Sequence, residues 1–142
     1  MASEDEVAWK RLYHGYRDFY KLSRDEEIVN RVWEWVTNGQ YSIQGLLVAD
    51  GDGNAIGLAN IRAFARPSSG SMGIYLDDLY TDPAFRGRGA ATALLREVRQ
   101  IAGAQDATVV RWITSADNTT ARSVYDQNAV LTKWVTYDMT PE

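Results

Sequence analysis

The stretch from Ile74 to Ala102 constrains this chain more than any other. Ile74–Thr81 reads as a strand and stops at Asp82-Pro83. After Arg86-Gly-Arg-Gly89 the apolar period becomes helical, with Ala91, Leu94, Leu95, Val98 and Ile101 on one face and Gly103 as the expected C-cap. A strand that turns through a glycine-rich loop into a helix forms an anion-binding corner. The free N–H groups of Ala90, Ala91 and Thr92 and the positive end of the helix dipole converge on one spot. Gly87 and Gly89 would let the backbone approach a phosphate, and Arg86 and Arg88 add charge. No Gly-Lys-Ser/Thr follows, so this is not a Walker loop, and Thr92 stands where a dinucleotide fingerprint needs Gly or Ala. On spacing alone, phosphate binding and a plain tight turn into a helix stay equally open.

The surrounding pattern fits one mixed α/β layer structure. Trp9, Leu12, Tyr13, Tyr16, Phe19 and Tyr20 recur at helical spacing. Ser23-x-x-Glu26 reads as a capping box for a second helix carrying Ile28, Val32 and Val36, with Gly39 as its stop. Gly45–Asp50 and Ala55–Ala65 read as strands around the turn Asp50-Gly-Asp-Gly-Asn54, and Pro67–Ser71 as a loop tip. Thr108–Thr114 is an expected short strand, Asn118 caps a helix containing Ala121, Val124 and Tyr125, and Thr132–Met139 reads as a last strand. This order predicts a single domain over 1–142: a mixed, mostly antiparallel twisted sheet flanked by helices.

Composition narrows the chemistry. The 142 residues include no cysteine, which removes disulfides, thiolate metal sites and any acyl-enzyme on a protein thiol. A single histidine, His14, leaves no His-rich metal site and is expected to be a solvated surface residue. A hydrophobic fraction of 45% with 24% charged residues is that of an ordinary globular chain. No apolar run approaches the ~20 residues of a membrane span, and Met1–Glu6 lacks a basic leader, so cytoplasmic residence is expected. The formal charge of −4 disfavours nucleic acid and permits a cationic substrate.

Arg86-x-x-Gly89-x-Ala91 resembles the Gln/Arg-x-x-Gly-x-Gly/Ala signature with which the GNAT acetyltransferase superfamily grips the pyrophosphate of acetyl-CoA. Downstream, Asn118-Thr-Thr-Ala-Arg-Ser-Val-Tyr125 is similar to that superfamily's Asn-x-x-Ala-x-x-Leu-Tyr segment, with Val124 in place of Leu. The likeness runs over roughly residues 43–139. Within the superfamily, Tyr75-Leu-Asp-Asp-Leu-Tyr-Thr81 resembles a stretch of the spermidine/spermine and thialysine acetyltransferases. The Trp9–Tyr20 pattern resembles the Hpa2-like group. One departure is plain: the usual Tyr-Glu-x-x-Gly-Phe ending is Tyr125-Asp-Gln-Asn-Ala-Val130 here, so the Gly-Phe turn is absent.

The resemblance implies direct acetyl transfer from acetyl-CoA to a primary amine, a polyamine, diamine or lysine-like group first, within a ternary complex and in a homodimer without a metal. Protein acetylation and non-catalytic CoA binding are its rivals. It also implies site residues. The backbone of Leu79, Tyr80 and Thr81 would pair with the pantetheine arm; Arg86, Gly87, Arg88, Gly89, Ala90, Ala91 and Thr92 would hold the pyrophosphate; Asn118 would bond the pantetheine end or serve as N-cap. Tyr125 would be the general acid toward the sulfur, its alternative being a core tyrosine. Asp77 stands where those relatives place a base, and is either a base or a carboxylate that holds the cation. Strand alternation puts Asp78 on the opposite face, as a structural partner, unless the strand bulges. Tyr13 or Tyr16 could face a bound cation. Trp33, Trp35, Trp112 and Trp134 read as packing residues, an exposed one being available for a dimer interface.

Overall fold

The computed structural model describes all residues, 1–142. Helix α1 (Glu6–Phe19) and helix α2 (Glu26–Asn38) precede strands β1 (Ile43–Ala49), β2 (Ala55–Arg66) and β3 (Ser71–Thr81). Helix α3 (Ala90–Ala104), strand β4 (Val110–Arg111) and helix α4 (Thr119–Asn128) follow. The sheet order is β1-β2-β3-β4; the first three strands are antiparallel and β4 lies parallel to β3. This is the expected mixed sheet with helices on both faces. No helix is long and apolar enough to cross a membrane.

Alternation along the strands builds two separate cores. Ala59, Ile61, Ile74 and Leu76 meet Leu94, Leu95, Val98 and Ala102 of α3 on one face. On the other, Leu58 meets Trp9, Leu12 and Tyr13 of α1 and Val29, Trp33 and Val36 of α2. Both helices on that face carry an apolar stripe at helical spacing, which is why they lie flat on the sheet. Trp9 anchors this core through ring contacts with Tyr13 at 4.8 Å and Trp33 at 5.4 Å.

Several local expectations need correction. Helix α2 is capped by Asp25, whose carboxylate accepts from the N–H groups of Glu27 and Ile28, whereas Ser23 only lends its carbonyl to Arg17. An aspartate next to the helix start satisfies the orphan donors more directly than a serine two residues earlier. Gly39 ends α2 in the left-handed conformation, as expected. Gly103 lies inside α3, which closes at Gln105. His14 is not solvated: its side chain is 12% exposed and sits 3.1 Å from Glu26. The strand expected over Thr108–Thr114 pairs only at Val110 and Arg111. The one expected over Thr132–Met139 has no pairing partner, and Trp134 is exposed rather than packed.

Candidate active site

The site begins with a fault in β3. Leu76 pairs with Ile61 and Asp78 with Asn60, so Asp77 is an extra residue in the ladder. Leu76 and Leu79 both pack toward α3, although they are three positions apart. Both intervening aspartates therefore point to the α1 side. The expectation that Asp77 and Asp78 occupy opposite faces is corrected by this bulge, which periodicity cannot reveal.

The two carboxylates have different surroundings. Asp77 receives both of its contacts from Arg62 Nε, at 3.0 and 3.2 Å, and Arg62 lies over the Tyr75 ring at 4.7 Å. Burial raises the Asp77 pKa and the Arg62 charge works against that rise. Asp78 ends a buried polar chain: Trp9 Nε1 donates to Asn60 Oδ1 at 3.3 Å, and Asn60 Nδ2 donates to Asp78 Oδ2 at 2.9 Å. The hydroxyls of Tyr16 and Tyr13 face the same carboxylate. Desolvation outweighs these donors and pushes Asp78 above the usual carboxylate range. Burial and the neighbouring Asp78 charge in turn hold Tyr13 and Tyr16 firmly protonated.

From Asp78 a row of rings runs along α1. Tyr13 stacks on Tyr16 at 5.7 Å, and Tyr16 meets Tyr20 at 4.8 Å. The row ends at a cleft of about 290 Å³ between β3, the α3 start and α4. Leu79, Tyr80, Thr81, Arg86, Gly87, Gly89, Ala90, Ala91, Thr92, Asn118 and Tyr125 all line it. Arg88 does not; it lines a neighbouring hollow with Asp50 and Gly51. Sequence reasoning did not assign Phe19, Tyr20, Thr120, Ala121 or Val124 to the cleft, which they also line. Phe19 and Tyr20 share the helical spacing of the buried Trp9, Leu12 and Tyr13, and only their exposure sets them apart.

The cleft exists because β3 and β4 part. They pair at Ile74–Val110 and Tyr75–Arg111 and not beyond, so the β3 edge from Leu76 to Thr81 is free of a neighbouring strand. Free N–H and C=O groups along such an edge suit an extended amide-bearing chain. Gly87 and Gly89 hold φ of 77° and 79°, the left-handed conformation that favours glycine, and thereby aim the first turn of α3 at the cleft. Arg86 stacks over Phe19 at 5.5 Å beside this corner. Asn118 occupies the N-cap position of α4, but its amide donates to Thr114 Oγ1 rather than capping the helix. Tyr125 stands edge-on to Trp112 at 5.3 Å, and burial raises its hydroxyl to about 12. The first turn of α3 behind two left-handed glycines, an open strand edge and a protonated phenol thus share one channel, the groups that the pyrophosphate, pantetheine and sulfur of CoA would need.

Comparison with known proteins agrees with this geometry. The profile of the Acetyltransferase (GNAT) family matches residues 9–129. The D-amino-acid N-acetyltransferase HPA3 of Saccharomyces cerevisiae is 27% identical over 135 residues, spanning 94% of this chain and 84% of that protein. The uncharacterized N-acetyltransferase YhfO of Bacillus subtilis is 31% identical over 128 residues, spanning 89% and 83%. Among solved structures, a probable acetyltransferase superposes with a TM-score of 0.89 at 21% identity, over 100% of this chain and 95% of that one. AAC(6')-Iy, in complex with a bisubstrate analogue containing CoA, superposes with a TM-score of 0.85 at 19% identity, over 99% and 95%. Both structural likenesses concern the fold. The chain belongs to the GNAT family and is an acetyl-CoA-dependent N-acetyltransferase.

Proposed function

We propose that the protein acetylates a small primary amine that approaches from the α1 side of the sheet, and that Asp78 and Tyr125 serve the two proton transfers. The β3 bulge carries this reading, because it turns two carboxylates toward the aromatic row that leads to the CoA cleft. An alkylammonium, of pKa near ~10.4, must lose a proton before its nitrogen can attack the acetyl carbonyl. Asp78, whose carboxyl is raised by burial, is a better proton acceptor than an ordinary aspartate. Asp77, the base candidate at the sequence level, is engaged by Arg62 and is better suited to selecting the acceptor. The faces of Tyr16 and Tyr20 offer a cation a surface to cross.

Collapse of the tetrahedral adduct breaks the C–S bond and leaves negative charge on sulfur. Tyr125 is protonated at neutral pH and can donate a hydrogen bond to that sulfur. Full proton transfer from a phenol near 12 to a thiolate near ~8.5 is uphill by on the order of 5 kcal/mol. Tyr125 is therefore proposed to stabilise the leaving thiolate chiefly as a donor, with solvent completing its protonation.

Polyamines and diamines remain acceptors of the right chemistry for two carboxylates beside aromatic rings. A second reading rests on Arg62. By neutralising Asp77 it weakens the site for a polycation and offers a guanidinium to an acceptor that carries its own carboxylate. An amino acid is such an acceptor, the class named for the yeast relative. Thiol release from acetyl-CoA should be measured against spermidine, putrescine, lysine, D- and L-amino acids and a basic peptide. The same assay on Tyr125→Phe should show turnover lower by about 10²-fold with CoA affinity little changed. Equal turnover would remove Tyr125 from the mechanism, and a basic peptide preferred over every free amine would sink the small-acceptor reading.

A further inference from the structure

The one charged residue among the buried set is Arg17, in the last turn of α1. It is 8% exposed, whereas Arg11, Arg24 and Arg62 are more open and each stands beside a carboxylate. No carboxylate stands beside Arg17. Its Nη2 donates to the Ser23 carbonyl at 3.0 Å, and its Nε is buried with no hydrogen-bond partner. That carbonyl and the C-terminal end of the α1 dipole supply partial charges only. A guanidinium keeps its proton inside a protein, so Arg17 is a buried cation whose counter-charge the chain does not provide.

Its place gives that cation a use. Tyr13 lies one turn earlier on the same side of α1, and its hydroxyl faces Asp78. The Arg17 charge lowers the Tyr13 hydroxyl pKa against the larger upward effects of burial and Asp78, so both charges reach one oxygen. Phe19 and Tyr20, in the next positions of the helix end, line the CoA cleft. The guanidinium is also held in place: Ser23 fixes one of its nitrogens, and the Leu22 N–H bonds the Arg17 carbonyl at 2.9 Å. Arg62 lies on the same side of the sheet, but there Asp77 meets the charge at 3.0 Å. Arg17 alone has nothing to meet it.

We propose that Arg17 binds the carboxylate of the acceptor, which makes the substrate an amino acid whose ammonium group lies at Asp78. This rests on the reading that the acceptor enters from the α1 side. A zwitterion satisfies the carboxylate and the guanidinium together, and its own carboxylate takes the free Nε–H in a charge-assisted hydrogen bond. A buried cation without a partner is costly, so an anion that reaches it gains more than it would at the surface. A diamine or polyamine instead brings a second positive charge toward one already buried, which weakens binding.

Thiol release from acetyl-CoA should be followed with D- and L-alanine, phenylalanine and lysine, each against its carboxamide, which keeps the amine and removes the anion. In the parent, kcat/KM should be higher for the acids by about 10–10²-fold, as expected for a charge-assisted hydrogen bond. The comparison is stringent, because the amine of an amide is less basic and easier to deprotonate. Arg17→Gln should abolish the preference through a rise in KM for the acids, with a far smaller change for the amides. Arg17→Lys keeps the charge without the planar fork and should retain part of the preference, which secures the test where the Gln variant does not fold. Equal kcat/KM for acid and amide in the parent, or an equal loss for both in Arg17→Gln, would overturn the proposal. So would spermidine preferred over every amino acid, or a preference that Arg62→Gln removes and Arg17→Gln does not. Turnover of no small amine at all would defeat the α1-side reading itself, and this proposal with it.

Discussion

The two faces of the same three strands are built from different materials. Toward α3 the contacts are aliphatic: Ile61, Ile74 and Leu76 against Leu94, Leu95 and Val98. Toward α1 the sheet presents Asn60, Asp77, Asp78 and Tyr80, covered by Trp9, Tyr13 and Tyr16. The first face needs only volume and shape, so its stability comes from burial and is insensitive to pH. The second buries a carboxylate and satisfies it with donors, an arrangement that costs stability unless every partner is in place. Under the proposed function the α3 face is scaffold and the α1 face is the acceptor side.

Substitutions can test that division. The largest effect on stability is expected from Leu94→Ala, which leaves a cavity in a fully packed aliphatic cluster and should cost about 2–5 kcal/mol in denaturant unfolding. Its activity per folded molecule and its pH profile should match the parent; a changed pH profile would mean that the two faces are coupled.

Asp78→Asn should do the reverse. Because the folded-state pKa of Asp78 is raised, its neutral form favours the fold. That contribution is complete below the ordinary aspartate value of ~3.9 and is lost as pH rises through the raised value. The parent should therefore lose melting temperature across that window, and the Asn variant should not, while its acetyl transfer falls by about 10²-fold. A melting profile with the same slope in both proteins would show that Asp78 does not carry the titration.

The smallest effect is expected at Gly15, where α1 comes closest to β3. A Cβ there would lie 2.6 Å from the Tyr80 hydroxyl, and Tyr80 lines the CoA cleft. Gly15→Ala should forgo the gain of up to about 1 kcal/mol that alanine ordinarily brings to a helix interior. It should also weaken CoA binding by calorimetry as Tyr80 is displaced. Tighter binding, or the full stabilisation, would show that the approach of α1 to β3 is not tight.

The legible parts of the molecule were those governed by local rules. The α3 stripe, the Gly39 stop, the strand–loop–helix corner at Gly87 and Gly89, and the alternation of β1 and β2 follow from period and backbone freedom. Of the residues assigned to CoA from the sequence, Arg88 alone lies outside the cleft. The α1 side was less legible. Phe19 and Tyr20 carry the same helical spacing as the core residue Leu12, and nothing local says that α1 overhangs the cleft there. Arg62 and Asp77 are fifteen positions apart and meet only through the register of β2 with β3.

By itself the sequence determined most of the elements, the glycine turn into α3 and the family, because hydrophobic period, glycine positions and short motifs act within a few residues of one another. The tertiary structure decided where the two aspartates point, since a bulge is a mismatch between two paired strands and belongs to neither alone. It also decided that β3 and β4 part after two residue pairs and that the strand-like C-terminal segment finds no sheet within its own chain. Those outcomes depend on partners distant in sequence, and pairing between distant strands leaves no period to read.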